Sequence, residues 1–330
     1  MDYGFTDHLP EDFADGSLRA DVLAGFGATP KWLPPKWFYD KNGSELFEDI
    51  TRLPEYYPTR SERAILQADA AGIVGRSGAR HLVELGSGSS EKTRLLLDQL
   101  DQDRAVYTAL DVSGSALRQA AQALRIAYPR LRIEAVRADF EQHLTAVLRD
   151  GRDEGHRIVA FLGGTIGNLR PEQRQAFLSA VRDGLGPTDS FLLGADLVKS
   201  PAVLVPAYDD AAGVTAAFNL NLLRVLNDRL GADFDPEAFE HRAFWNESEA
   251  WIEMRLRARD DLTVRFADLD LTVEFGAGEE LRTEISAKFT RNCLEEELTT
   301  AGFTPEGWWT DPDGRFSLSL WKPLQDDSSS

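Results

Sequence analysis

One cysteine, Cys293, stands among 330 residues, which excludes an internal disulfide framework and any cluster of thiolate ligands. It sits in TRNCLEEEL, a helical pattern in which a small core residue is the expected role. The five histidines, His8, His81, His143, His156 and His241, lie far apart, and no two have the spacing of ligands on one helix. Positive charge is scarce as well: 36 Lys and Arg face 55 Asp and Glu, a formal net charge of −19. Nucleic acid and anionic membranes are poor partners for such a chain, because phosphates call for a basic stripe. The longest run without a charged residue, Ala211–Leu223, has 13 residues and is too short to span a bilayer. The acidic start MDYGFTDHLPEDFADG lacks the apolar core of a secretory signal, so a cytoplasmic protein is expected. The DDSSS ending reads as a disordered tail, 324–330.

What is present is an ordinary globular composition, 42% hydrophobic and 28% charged, in a length suited to two domains of about 150 residues each. From Arg60 to Lys199 apolar strands alternate with helical patterns. HLVELG, AVYTALDVS, LRIEAVRADF, RIVAFLGG and DSFLLGADLV are strands, and SEKTRLLLDQL, SALRQAAQALRIAY and PEQRQAFLSAVRDGL are helices. Near-continuous apolar strands separated by helices predict a buried parallel sheet, an α/β fold. Residues 200–231 read as helical, and WIEMRLRAR, LTVRFADLDLTVEF and LRTEISAKF read as antiparallel strands of a separate α+β unit. GWWT and FSLSLWK around the turn DPDG predict a terminal hairpin. The first 60 residues read as helices broken by proline-containing loops.

ELGSGSSEK, residues 84–92, falls where the first strand becomes the first helix. Gly86 and Gly88 permit a tight turn, and the amides of Ser89 and Ser90 would open the helix toward a polar ligand group. A plain glycine turn is the competing reading. A dinucleotide site wants G-x-G-x-x-G, whereas Glu91 stands at the third position and would place negative charge beside a pyrophosphate. Glu84, two residues before Gly86, instead resembles the first motif of S-adenosylmethionine-dependent methyltransferases. Lys92, a cation in a first helical turn, opposes the helix dipole unless it reaches a ligand carboxylate. Asp111 follows Gly86 by 25 residues and ends the second strand, where an acid can accept both ribose hydroxyls or cap a turn. Asp139 and Phe140 end the third strand, a placement suited to an adenine amino group and ring.

Several longer motifs, PPKWFYD, TRLPEYYPTR, ELGSGSSEK, FLGGTIGN, AYDDAAGVTAAFN, GEE and WWTDP, together resemble the histidine-specific Nα-methyltransferases of ergothioneine biosynthesis, over roughly residues 8–323. The resemblance implies a Rossmann-type S-adenosylmethionine-dependent methyltransferase domain, 60–199 and 289–323, with a second, inserted α+β substrate-recognition domain, 8–59 and 200–288. It implies trimethylation of the α-amine of L-histidine to hercynine by three molecules of S-adenosyl-L-methionine, with no metal, by a monomer. Motif by motif it assigns cofactor contacts to Gly86, Lys92, Asp111, Asp139 and Phe140. It assigns the substrate carboxylate to Asn168 and Tyr208, the amino group to Tyr39, and the imidazole side to Tyr56, Glu284 and Ser286. Phe47, Gly163, Met254 and Ile285 complete the substrate set.

The residue chemistry is compatible with those roles. Asn168 offers two N–H donors and Tyr208 one O–H for a carboxylate. In LRTEISAKF a period of two puts Arg282, Glu284, Ser286 and Lys288 on one face, which is either a polar site or a solvated surface. Met254, Tyr39, Phe47 and Tyr56 would pass as core residues on composition alone. Tyr39 is the residue expected to orient the amine, and no general base is assigned. A related enzyme acting on another aromatic amino acid, such as a tryptophan derivative, is the rival within the class. Glu284, an acceptor for an imidazole N–H, favours histidine.

Overall fold

A computed structural model describes residues 3–10, 12–88, 90–139, 143–150 and 156–325. The chain divides into two compact units. Met1–Leu9, Ser61–Leu197 and Phe289–Ser330 form the first, Pro10–Arg60 and Val198–Lys288 the second. In chain order the elements are β1 (Gly4–Asp7), α1 (Phe13–Phe26), α2 (Lys41–Arg52), α3 (Pro58–Ser77), β2 (His81–Leu85), α4 (Arg94–Leu97), β3 (Val106–Asp111), α5 (Gly114–Ala127) and β4 (Arg132–Arg137). They continue with α6 (Leu144–Asp150), β5 (Arg157–Phe161), α7 (Pro171–Gly184), β6 (Ser190–Asp196), α8 (Pro201–Leu204), α9 (Val214–Leu230), β7 (Phe239–Asn246), β8 (Trp251–Ala258), β9 (Leu262–Phe266), β10 (Leu271–Phe275), β11 (Glu280–Ala287), α10 (Arg291–Thr300), β12 (Phe303–Thr310) and β13 (Phe316–Pro323).

In the first unit one sheet runs β1-β4-β3-β2-β5-β6-β13-β12. The strands from β1 to β6 are parallel, and β13 and β12 run antiparallel at the end. Strands β2, β5 and β6 are buried along their whole length, which is why they read as unbroken apolar runs. Their core joins Leu82, Ala109, Ile133 and Leu192 to Ile65 and Leu66 of α3 and Leu318 and Leu320 of β13. A buried ion pair anchors the start of β5: Arg157 donates through Nη2 and Nε to Asp189 Oδ2, at 2.6 and 3.1 Å. After β4 the chain returns across β2 to build β5 and β6, so the strand order reverses beside β2. The carboxyl ends of an open sheet at such a reversal are where ligands bind.

The second unit has a three-stranded antiparallel sheet, β11-β8-β7, and a separate hairpin, β9 with β10. Its core gathers Leu222 and Leu226 of α9, Leu256 of β8 and a set of phenylalanines packed tilted or edge-on, Phe26, Phe234, Phe239, Phe266 and Phe275. Neighbouring rings in that set lie 5.3–6.3 Å apart.

Several expectations need correction. Residues 4–7 form a parallel edge strand on β4, so the N-terminal segment is not all helix and loop. The helix expected across SEKTRLLLDQL is reduced to Arg94–Leu97, because the glycine turn and the loop after it use up the preceding residues. LTVRFADLDLTVEF is two strands joined by a tight turn at Ala267–Leu269, with Asp270 at a φ of 48°. Cys293 lies exposed on α10, since Leu294 and Leu298 take the buried face of that helix. Leu324 is not part of a tail: its N–H donates to Gly302 O at 2.7 Å and its carbonyl accepts from Arg182 Nη2 at 2.6 Å. Residues 326–330 lie outside the described residues.

Candidate functional site

In the first unit the glycine turn leaves β2 with Gly86 at φ 69° and Gly88 at φ 47°, the left-handed region that favours glycine. The turn is fixed by Gly86 N–H donating to Leu110 O at 2.8 Å. A Cβ on either glycine would meet nothing within 4 Å, so the space above the turn is open. Ser87 Oγ is buried and has no hydrogen-bond partner among the described residues. An open glycine turn with an unmet buried hydroxyl fits a polar ligand. One expectation fails here. Ser90 does not present its amide outward: it is buried at φ 53°, and its N–H donates to Ser87 O at 2.9 Å. Ser89 lies outside the described residues.

Asp111 ends β3, where Ser113 N–H donates to Oδ1 at 2.9 Å and Gly88 N–H to Oδ2 at 3.3 Å. Each oxygen keeps lone-pair capacity for a ligand hydroxyl. Burial raises its pKa, against these backbone bonds. Ser113 itself caps α5, and Asp111 braces the turn before it, the turn role that the sequence allowed. Asp139 lies buried just beyond β4. Phe140 lies outside the described residues.

Glu62 was not legible as a site residue. It belongs to α3, has no exposed surface, pairs with the Lys92 ammonium and accepts from Gly163 N–H at 2.7 Å. Below the turn, Glu84 accepts from Thr93 Oγ1 and Tyr107 Oη, both at 2.5 Å, and Tyr107 Oη is 2.9 Å from Ser90 Oγ. Burial pushes the Glu84 carboxyl up to about 7, with the two hydroxyl bonds and Lys92 pulling it down. In the loop after β5, Gly163 and Gly164 stand at φ 79° and 71°, and Asn168 ends the short turn Thr165–Asn168.

The second unit brings the other residues together. Tyr39, Phe47, Tyr56 and Tyr208 form a chain of edge-on rings with centroids 5.4, 6.2 and 6.3 Å apart. Half of Tyr39's surface is accessible, at 50%, yet protein surrounds it closely enough to push its hydroxyl pKa up, with Glu284 and Tyr208 adding to the effect. Glu284 on β11 stands opposite Met254 on β8, and Ile285 and Ser286 follow, both buried. The register slips between Arg282 and Glu284, so the strict alternation expected from Arg282 to Lys288 is interrupted. Ser286 and Lys288 are buried, which rules out a solvated face at that end. Tyr208 Oη and Ser286 Oγ are 2.8 Å apart, although the resemblance assigns them to opposite ends of the substrate.

Supporting residues hold this cluster in place. Arg60 donates to the carbonyls of Leu53, Pro54 and Tyr56 at 2.6, 2.6 and 3.0 Å, which shapes the loop that presents Tyr56. Asp40 caps α2 beside Tyr39, and a Cβ on Gly43 would collide with the Phe38 carbonyl, so glycine allows that close approach. The Asn219 amide nitrogen donates to the Arg255 carbonyl at 3.2 Å and to His241 Nδ1 at 2.9 Å. His241 Nε2 therefore carries the proton and donates to the Tyr208 carbonyl at 2.9 Å. Burial lowers the His241 pKa, which keeps the ring neutral in this role. The motif AYDDAAGVTAAFN, around Tyr208, ends on Asn219 without giving it a role, and nothing local pointed to His241.

Among the described residues no group of three His, Cys, Asp or Glu side chains could hold a metal ion. No helix there is long and apolar enough to cross a membrane.

A doubly wound sheet of this strand order, reversed only at β13 and carrying a glycine turn and two acids at successive strand ends, has the architecture of the Rossmann-type S-adenosylmethionine-dependent methyltransferases. Comparison narrows the class. A family model described as histidine-specific, SAM-dependent methyltransferase matches residues 18–323, and the chain belongs to that family. It is 54% identical to the histidine N-alpha-methyltransferase of Mycolicibacterium smegmatis, over 97% of this chain and 99% of that protein. It is 52% identical to the enzyme of the same name from Mycobacterium tuberculosis, with the same coverage. A 4-dimethylallyltryptophan N-methyltransferase of Aspergillus fumigatus is 27% identical over 91% of each chain.

Proposed function

We propose that the chain transfers three methyl groups to the α-amine of L-histidine, giving hercynine, the first step of ergothioneine biosynthesis. The observation that carries this reading is Glu284, which stands opposite Met254 and is near enough to Tyr39 to raise its hydroxyl pKa. A carboxylate among aromatic rings suits an imidazole N–H, which an indole-bearing substrate does not offer in the same way. The identity to two histidine N-alpha-methyltransferases supports it.

Bound S-adenosyl-L-methionine supplies an electrophilic methyl group on a positively charged sulfur. Gly86, Lys92, Asp111, Asp139 and Phe140 are the residues proposed to hold it, and the open turn at Gly86 and Gly88 fits that role. Asn168 and Tyr208 give donors to the substrate carboxylate. Tyr56, Glu284 and Ser286 serve the imidazole, with Phe47, Gly163, Met254 and Ile285 around it. Tyr39 keeps its hydroxyl proton at neutral pH, since its pKa is raised. It thus acts as a neutral hydrogen-bonding group that orients the amine, and it does not take up the amine's proton as a phenolate. Alignment of nitrogen with the methyl group then accounts for much of the rate. A monomer is proposed, as the resemblance implies. The acidic, cysteine-poor composition supports a cytoplasmic setting.

Mass spectrometry of L-histidine incubated with the protein and S-adenosylmethionine tests the proposal. Three successive methyl increments are expected. Preferential methylation of a tryptophan derivative in the same mixture would refute it.

A further inference from the structure

Lys288 has no part in the residue set above, yet it is a charged side chain only 3% exposed. Its Nζ donates to Tyr208 Oη and to Ser286 Oγ, each at 2.8 Å. Those two oxygens are themselves 2.8 Å apart, and the ammonium stands 4.7 Å from the centre of the Tyr208 ring. The three polar atoms make a closed triangle within the second unit.

Donor counting decides what the triangle can do. An ammonium only donates, so both hydroxyl oxygens accept from it. Each hydroxyl brings one proton. One of the two protons closes the bond between the oxygens, and the other is directed away from the triangle. A phenol is a stronger acid than an alcohol, and a neighbouring cation strengthens it further as a donor. Either hydroxyl can close the triangle, and when the serine proton does so the tyrosine proton is turned to a ligand. A polarised O–H backed by an enclosed positive charge suits an anionic oxygen. The backbone of Tyr208 is held separately by His241, so the hydroxyl is fixed from both ends of the residue.

We infer that Lys288 is a positioning residue for the substrate carboxylate. Its ammonium keeps the Tyr208 hydroxyl proton directed away from itself, and its charge selects amino acids over analogues without a carboxylate. The inference rests on the reading of L-histidine as substrate.

The test compares L-histidine with L-histidinol, in which a neutral CH2OH replaces the carboxylate, as ligands of the S-adenosylhomocysteine-loaded protein. Histidine turnover is measured in parallel. Lys288→Met is expected to weaken histidine binding and raise its KM by about tenfold to a hundredfold, the value of a hydrogen bond to a charged group. The kcat should stay within a few-fold, and S-adenosylhomocysteine affinity should not change. Histidinol has no charge to lose, so its affinity should change little and the histidine-to-histidinol ratio should shrink by nearly the same factor. Lys288→Arg should restore most of the ratio. If Lys288→Met does not fold, Lys288→Gln, which keeps a donor without the charge, provides the same comparison. Equal weakening of both ligands would mean a merely structural lysine and overturn the inference alone. Wild-type protein that leaves histidine unmethylated would overturn the substrate reading and this inference with it.

Discussion

The ammonium of Lys92 is paired with the carboxylate of Glu62, a side chain with no exposed surface. The same carboxylate accepts from Gly163 N–H at 2.7 Å, so Glu62 ties the loop after β2 to the loop after β5. Gly194 leaves room for it, because a Cβ there would collide with the Glu62 carboxylate. The unusual cation noted at the start of the first helix is thus part of a buried charge pair as well as a candidate cofactor contact.

That double role separates two effects of mutation. Lys92→Met leaves the Glu62 carboxylate buried without its counter-charge, a loss of about 3–5 kcal/mol for a broken buried pair. Its side chain is 24% exposed, so the lower end of that range is expected. Thermal melting should show the loss, and calorimetry should show weaker S-adenosylhomocysteine binding by at least about tenfold. Adding Glu62→Gln should recover much of the stability but not the affinity. Recovery of both would make Lys92 a structural residue only.

Asn168→Ala is expected to cost about 1.5–3 kcal/mol of interaction with the substrate carboxylate, or roughly tenfold to a hundredfold in kcat/KM. Its side chain is only half-buried, so melting temperature should shift little. A collapse in melting temperature with normal substrate affinity per folded molecule would point to a turn asparagine.

For Glu284, histidine turnover should fall in the order wild type, Glu284→Gln, Glu284→Ala, chiefly in kcat/KM. The glutamine keeps the shape and one acceptor oxygen, and the alanine keeps neither. Removing a carboxylate opposite the apolar Met254 also lowers the cost of placing an apolar substrate there. Competition between histidine and tryptophan should therefore tilt toward tryptophan in Glu284→Ala. Unchanged histidine kinetics in that variant would reopen the question of the substrate.

Glu84 makes a pH prediction. Its native pKa is pushed up from 4.5 to about 7, chiefly by burial. Between those values the native state holds a proton that the unfolded chain has released, so this group's contribution makes stability fall as pH rises. The cost is absent below the lower value and complete above the upper one, at most about 3 kcal/mol. Urea unfolding at about pH 5 and about pH 8 should show a smaller decline for Glu84→Gln than for wild type. Equal declines would mean that Glu84 is ionised throughout.

Local pattern made much of the fold legible. Strands β2, β5 and β6 are buried on both faces and read as apolar runs, while α5 and α7 carry helical periodicity and end signals such as Ser113 and Pro171. The glycine turn was legible because a left-handed φ at the end of a strand calls for glycine. β1 was missed because four mostly exposed residues carry no period. The helix over residues 90–100 was overextended because helix propensity cannot register a backbone used up by the preceding turn.

The sequence by itself determined the α/β class, the strand ends that carry Gly86, Asp111 and Asp139, and the polar residue types around Glu284. Composition and periodicity are local properties, and each of these features lies within one element. Only the tertiary structure decided which charges are buried together. Glu62 meets a lysine 30 residues away and a backbone amide 101 residues away. Lys288 meets a tyrosine 80 residues away. The isolated sequence offers a solvated reading for both, and a charge is worth burying only where the fold supplies its partner, which no local pattern can show.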